Sequence, residues 1–118
     1  MPATWITYKN KKILYLDYRG IKTMDRKPEF LEIAKQAEKF IKSERTKVLL
    51  LSDFRESTLS PEFMELIKAN FPTEYIQKQA AIGIEGIKKL LADSFERATG
   101  NTISLFNDEI EAKEFLIS

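Results

Sequence analysis

Residues 47–54 read KVLLLSDF. Four aliphatic residues stand in a row between Lys47 and Asp53. The run is too short for a helix, and it does not alternate as a strand with one wet face would. A strand of this kind is buried on both faces, as happens where a parallel sheet carries helices above and below. The rest of the chain agrees with a layered α/β arrangement.

Upstream, residues 3–9 (ATWITYK) alternate and are rich in β-formers, so they read as a strand. Asn10–Lys11 is a hairpin turn without the usual Gly. Residues 12–19 (KILYLDYR) are a second strand, antiparallel to the first because the link is so short. After a loop from Gly20 to Met24, Phe30, Ile33, Ala34, Ala37, Phe40 and Ile41 recur at spacings of three and four. They mark the apolar face of a helix over about residues 25–43. Pro28 falls in its first turn, where backbone donors lack helical partners anyway.

Downstream, Ser60-Pro61-Glu62 opens a second helix: a capping hydroxyl, a proline suited to the first position and an acid at the positive end of the dipole. Phe63, Leu66 and Ile67 supply its apolar face, and Pro72 ends it or kinks it. Residues 79–84 (QAAIGI) are a strand. Gly86 begins a third helix, and Gly100 suits the left-handed position just past its end. Residues 102–106 (TISLF) are the last strand, and Asp108 caps a last helix with Glu111 three residues on. The order is β-β-α-β-α-β-α-β-α. It predicts a single domain, residues 1–118, with one mixed sheet: antiparallel at its first strand and mostly parallel after it.

Composition narrows the function. The 118 residues carry 19 Lys and Arg against 18 Asp and Glu, so no bulk charge attracts nucleic acid or an anionic membrane. Cys and His are both absent. That excludes a thiol nucleophile, a disulfide and a Cys-based zinc site, and removes the commonest general base and metal ligand. We expect no enzyme, no metal and no cofactor. No stretch nears the roughly 20 apolar residues of a membrane span. The amino terminus lacks a signal-peptide core, which makes a cytoplasmic location the default.

In α/β sheets the rim where strands run into helices is the usual binding surface. Three loops meet there: Tyr18-Arg19-Gly20, the stretch from Asp53 to Ser60, and Gly83-Ile84-Glu85-Gly86. Arg19, Asp53, Arg55, Ser57, Thr58, Ser60, Gly83 and Gly86 are therefore the candidate ligand or partner residues, with helix amino termini adding a preference for anions. The plainer reading is that Ser60 caps a helix, Arg55 pairs with Asp53 or Glu56, and the glycines make turns. The third loop lacks both glycine-rich phosphate patterns. Asp17 and Asp53 lie near the ends of adjacent strands. A raised pKa there would permit acid–base chemistry, but pairing with Arg19 and Arg55 is the simpler role. Trp5, Tyr8, Tyr15 and Tyr18 cover the sheet, or else line an apolar-ligand site or a dimer contact.

The element order resembles the STAS domains, the SpoIIAA-like anti-sigma-factor antagonists, and most of all a divergent bacterial group of small stand-alone STAS-like proteins. The likeness is best over residues 80–116, AAIGIEGIKKLLADSFERATGNTISLFNDEIEAKEFL, with its LF.D..EA..FL ending. It implies a regulatory domain that binds a protein partner. It also implies a phosphorylatable Ser at the start of the second helix, within Asp-Ser-Ser-Gly-Leu. This chain has Glu56-Ser57-Thr58-Leu59-Ser60 at that place, without the Gly, so Ser57, Thr58 and Ser60 are the candidate phosphorylation sites. Similarity of architecture to lipid-binding CRAL-TRIO domains adds an apolar ligand as an alternative, in an open cleft or a homodimer interface. The expected function is thus non-enzymatic regulation or binding through the rim, of a protein partner or a small anion. A lipid-like or dimerising module is the alternative, and a carboxylate enzyme ranks last.

Overall fold

The computed structural model describes residues 3–21, 26–57, 73–84, 93, 96–97, 100 and 102–118. Five strands form one sheet in the order β1-β2-β3-β4-β5: β1 (Ala3–Tyr8), β2 (Lys11–Asp17), β3 (Val48–Asp53), β4 (Ile76–Ile82) and β5 (Ser104–Phe106). β1 pairs antiparallel with β2, and every later pair is parallel. Two helices lie among the described residues, α1 (Lys27–Ser43) and α2 (Glu109–Ile117), and a 3-10 turn at Thr73–Tyr75 leads into β4. The mixed sheet expected from the sequence is the one observed. The helix expected from Ser60 lies outside the described residues. Of the helix expected from Gly86, the described Asp93, Glu96 and Arg97 are helical. Gly100 follows at φ 74° and donates to the Glu96 carbonyl at 2.8 Å.

Strand β3 explains the architecture. Leu50 and Leu51 point to opposite faces, and both are fully buried. On Leu50's side, Leu14 and Leu16 of β2 meet Phe30, Ile33, Ala37 and Ile41 of α1. On Leu51's side, Ile13, Ala80 and Ile82 meet Ala112 and Leu116 of α2. Each large side chain so buried contributes about 1.5–3 kcal/mol, which is why an apolar run without alternation settles at the centre of the sheet.

Element boundaries differ in places. The hairpin turns at Lys9–Asn10, one residue earlier than expected; both have positive φ, as a two-residue turn between right-twisted strands requires. β2 ends at Asp17, not Arg19, because Tyr18 to Ile21 form a turn closed by the Ile21 amide on the Tyr18 carbonyl. β4 starts at Ile76, three residues early. Its polar start is held by Lys78, whose ammonium bonds the carbonyls of Phe115 and Ser118 at the end of α2. β5 begins at Ser104 and is shorter than expected. α2 begins as expected, with the Asp108 carboxylate accepting from the Glu111 amide at 3.1 Å.

Candidate functional site at the strand-end rim

β2 and β3 end in the same way, and their last residues, Asp17 and Asp53, face each other in register. Each Asp is followed by an aromatic residue and an Arg. Asp17 accepts from the Arg19 amide at 3.0 Å, and its two oxygens take Nε and Nη2 of the same Arg at 2.9 and 3.0 Å. Asp53 accepts from the Arg55 amide at 3.1 Å, from Nε at 3.0 Å and from Nη2 at 2.6 Å. Short local bonds of this type, charge-assisted and two-pronged, fix a guanidinium that would otherwise swing. The aromatic residues between, Tyr18 and Phe54, stack with centroids 4.7 Å apart and planes within 6°. Each turn is then closed by an amide three residues after the aromatic's own carbonyl position: Ile21 onto Tyr18, and Ser57 onto Phe54. The third turn residue has positive φ in both, Gly20 at 80° and Glu56 at 58°. The rim is thus one turn built twice, side by side.

The two turns are coupled through Asp53. Its carboxylate is buried. It also accepts from the Tyr15 hydroxyl at 2.6 Å, and Arg19 Nε approaches the same oxygen at 3.8 Å. Arg55 reaches on to Glu109 of α2 at 3.3 Å, and Lys113 bonds Glu109 at 2.9 Å. Burial pushes the Asp53 carboxyl up, but the bonds from Arg55 and Tyr15 outweigh it and hold the group below the usual carboxylate range. The Arg19 guanidinium does the same for Asp17 against a smaller cost of burial. Both carboxylates are therefore committed anions, with no proton to offer as a general acid. Burial, with the Asp53 bond second, pushes the Tyr15 phenol up. What faces solvent is the pair of arginines, 51% and 41% exposed at Arg19 and Arg55.

Gly83 serves this arrangement directly. It sits at φ 82°, and a Cβ there would lie 2.7 Å from the Arg55 nitrogen and 2.8 Å from its Cα. Only glycine lets the loop after β4 pass so close to the second turn. Just before it, Phe54 donates to the Ile82 carbonyl at 2.9 Å, which ties the turn to β4.

The structure matches by its fold a crystal structure of an uncharacterized protein of the DUF3478 family from Shewanella loihica PV-4, which has a SpoIIAA-like fold. The TM-score is 0.70 at 15% identity, over 97% of this chain and 91% of that one. The chain has a SpoIIAA-like fold. No family model matches the sequence, and no curated protein matches it.

On this SpoIIAA-like frame the structure brings Arg19, Asp53, Arg55 and Gly83 together. Ser57 is buried, and its hydroxyl donates to the Phe54 carbonyl at 2.9 Å, closing the turn a second time. Thr58, Ser60 and Gly86 lie outside the described residues. Sequence reasoning missed Tyr15, Glu109 and Lys113 as members of the rim network. Tyr15 was legible in principle: its partner lies two residues along the neighbouring strand on the same face, a diagonal a long side chain can span. Glu109 and Lys113 come from the far end of the chain and carry no local signal. Trp5 lies edge-on to Phe40 at 6.2 Å, Tyr18 is buried, and Tyr8 bonds Glu114 at 2.8 Å.

Proposed function

We propose that residues 1–118 form one non-enzymatic regulatory domain that engages a protein partner through the strand-end rim, with Arg19 and Arg55 as its contact residues. The observation that carries this reading is the doubled turn. It spends a buried carboxylate, a tyrosine and two chelating pairs on fixing two exposed guanidiniums, and a preorganised arginine loses little freedom when it binds. Each keeps its Nη1 group without a bond among the described residues, so a partner's carboxylate or phosphate can be met without breaking either pair. The depressed carboxylates and the absence of His argue against chemistry at this place.

Phospho-regulation fits the same loop through Thr58 or Ser60. At Ser57 the phosphate would first have to break the turn-closing bond to Phe54. A small anion bound between the arginines is the second reading, favoured by the same free donors.

The test is crosslinking in the native host, with identification of the captured protein. It is run on the wild type and on the Arg19→Lys, Arg55→Lys double variant, which keeps a cation beside each carboxylate but removes the planar fork with its outward Nη1 group. The expected result is one dominant partner, reconstituted from purified components, whose binding the double variant weakens about tenfold or more while its circular dichroism spectrum stays that of the wild type. A purified partner that binds both chains equally would refute the assignment of the rim. Intact mass of the host-purified chain, before and after denaturation, separates a covalent phosphate from a bound anion.

A further inference from the structure

The opposite end of the sheet holds a second feature. Where β2 and β3 begin, a cavity of about 240 Å³ opens at the end of the sheet. Trp5 and Val48 line it, with Leu116 from the last turn of α2. Three lysines surround it, Lys11, Lys12 and Lys47, against one acidic side chain, Glu44. Lys12 is fixed: its ammonium lies 4.3 Å from the Trp5 ring centroid and bonds Glu44 at 3.0 Å. Lys11 and Lys47 are exposed and have no ion pair among the described residues. The sheet is irregular here too. Val48 faces Ile76 but Leu49 faces Lys78, which leaves Gln77 as an extra residue on β4, and Gln77 lines the cavity. Strand irregularities of this kind often re-aim side chains beside binding sites.

We propose that this cavity is a binding site, separate from the rim, for a small organic anion with an apolar body, of the aryl carboxylate or aryl phosphate class. The charge fits an anion. Glu44 is already engaged by Lys12, so two ammoniums remain uncommitted, and a cation would meet only repulsion. An apolar body fits part of the wall, where Trp5, Leu49 and Ile117 are partly exposed, while Thr46, Gln77 and Ser118 add hydrogen-bonding groups for the head. The size fits a small one, since the cavity lies just under the usual range for drug-sized ligands. Because lysines are flexible point charges, carboxylate and phosphate are both acceptable head groups.

Trp5 is the only tryptophan of the chain, so its indole N–H resonance reports on the cavity directly. Phenyl phosphate and benzoate are titrated into ¹⁵N-labelled protein, with benzyl alcohol as the neutral probe, up to about 10 mM. The expected result is a saturable shift of the Trp5 indole signal with at least one anion and not with the alcohol. The Lys11→Glu, Lys47→Glu double variant then weakens binding about tenfold or more, and the rim variant Arg19→Lys, Arg55→Lys binds as the wild type does. Both lysines are exposed, so the fold survives their exchange; an unchanged remainder of the amide spectrum verifies this, and the Lys11→Gln, Lys47→Gln pair replaces the Glu pair if it does not. No saturation with either anion, an equal response to benzyl alcohol, or binding that survives the lysine exchange but not the rim exchange would each overturn the proposal.

Discussion

Replacing Gly83 by Ala should be the most damaging single-methyl change in the described part of this protein. Two costs add. An Ala at φ 82° gives up about 1–2 kcal/mol, because Cβ crowds the following carbonyl in the left-handed region. The new Cβ would also stand 2.7 and 2.8 Å from two backbone atoms of Arg55, which cannot swing aside as a side-chain tip would. Forcing atoms into filled space costs about 1–3 kcal/mol. The sum is about 2–5 kcal/mol, or roughly 4 °C in Tm for each kcal/mol in a chain of this size. Gly100 supplies the control. It has φ 74°, and a Cβ there meets nothing within 4 Å. Gly100→Ala therefore carries the first cost alone. Urea unfolding of both variants, followed by circular dichroism, gives the comparison free of the shared backbone term, provided the m-values agree. A Gly83→Ala loss no larger than that of Gly100→Ala would refute the close passage of the β4 loop against Arg55, and with it the account of why this loop begins with glycine.

Asp53→Asn should cost about 2–4 kcal/mol at neutral pH, because it leaves Arg55 facing a neutral group at a buried position. The Asp53 carboxyl titrates lower in the folded chain than in the unfolded one. Its contribution is therefore complete above the unfolded value near pH 4 and fades as pH falls through the folded value. The gap between variant and wild type should narrow in acid, and a gap independent of pH would contradict the ion pair. Glu56→Gly should stabilise by up to about 1 kcal/mol, since Glu56 sits at φ 58° where its counterpart in the first turn is already Gly20; denaturant midpoints decide it. Tyr18→Phe should be neutral or stabilising by about 1 kcal/mol, because the buried Tyr18 hydroxyl has no hydrogen-bond partner among the described residues. A loss above about 1 kcal/mol in calorimetry would mean the hydroxyl is satisfied.

Much of this fold could be read from one strand. Four aliphatic residues in a row at 48–51 can be satisfied only by cover on both faces, and that forces helices and parallel neighbours. The capped start of α2 was equally plain, because Asp108 and Glu111 act within one turn. The start of β4 was not. Gln77-Lys78-Gln79 looks like loop, and Lys78 is tolerated in a strand only because α2 presents carbonyls to its ammonium and Phe115 lies under it at 5.0 Å. The site shows the same division. Asp-Tyr-Arg and Asp-Phe-Arg stand openly in the sequence, and local pairing within each was foreseeable. Their meaning as a doubled turn depends on the register of Asp17 with Asp53, a fact of the sheet and not of either segment.

The strand order has a consequence for how the protein is made. Each strand pairs with the one synthesised just before it, so the sheet can grow from one edge as the chain leaves the ribosome, with little entropy lost to closing long loops. One face cannot be finished that way. Ile13, Leu51, Ala80 and Ile82 wait for Ala112 and Leu116, which arrive almost a hundred residues after Ile13. Until α2 emerges, the nascent chain carries strands whose second face lacks the cover that Ala112 and Leu116 supply. A stop codon before Glu109 would make that vulnerable interval permanent.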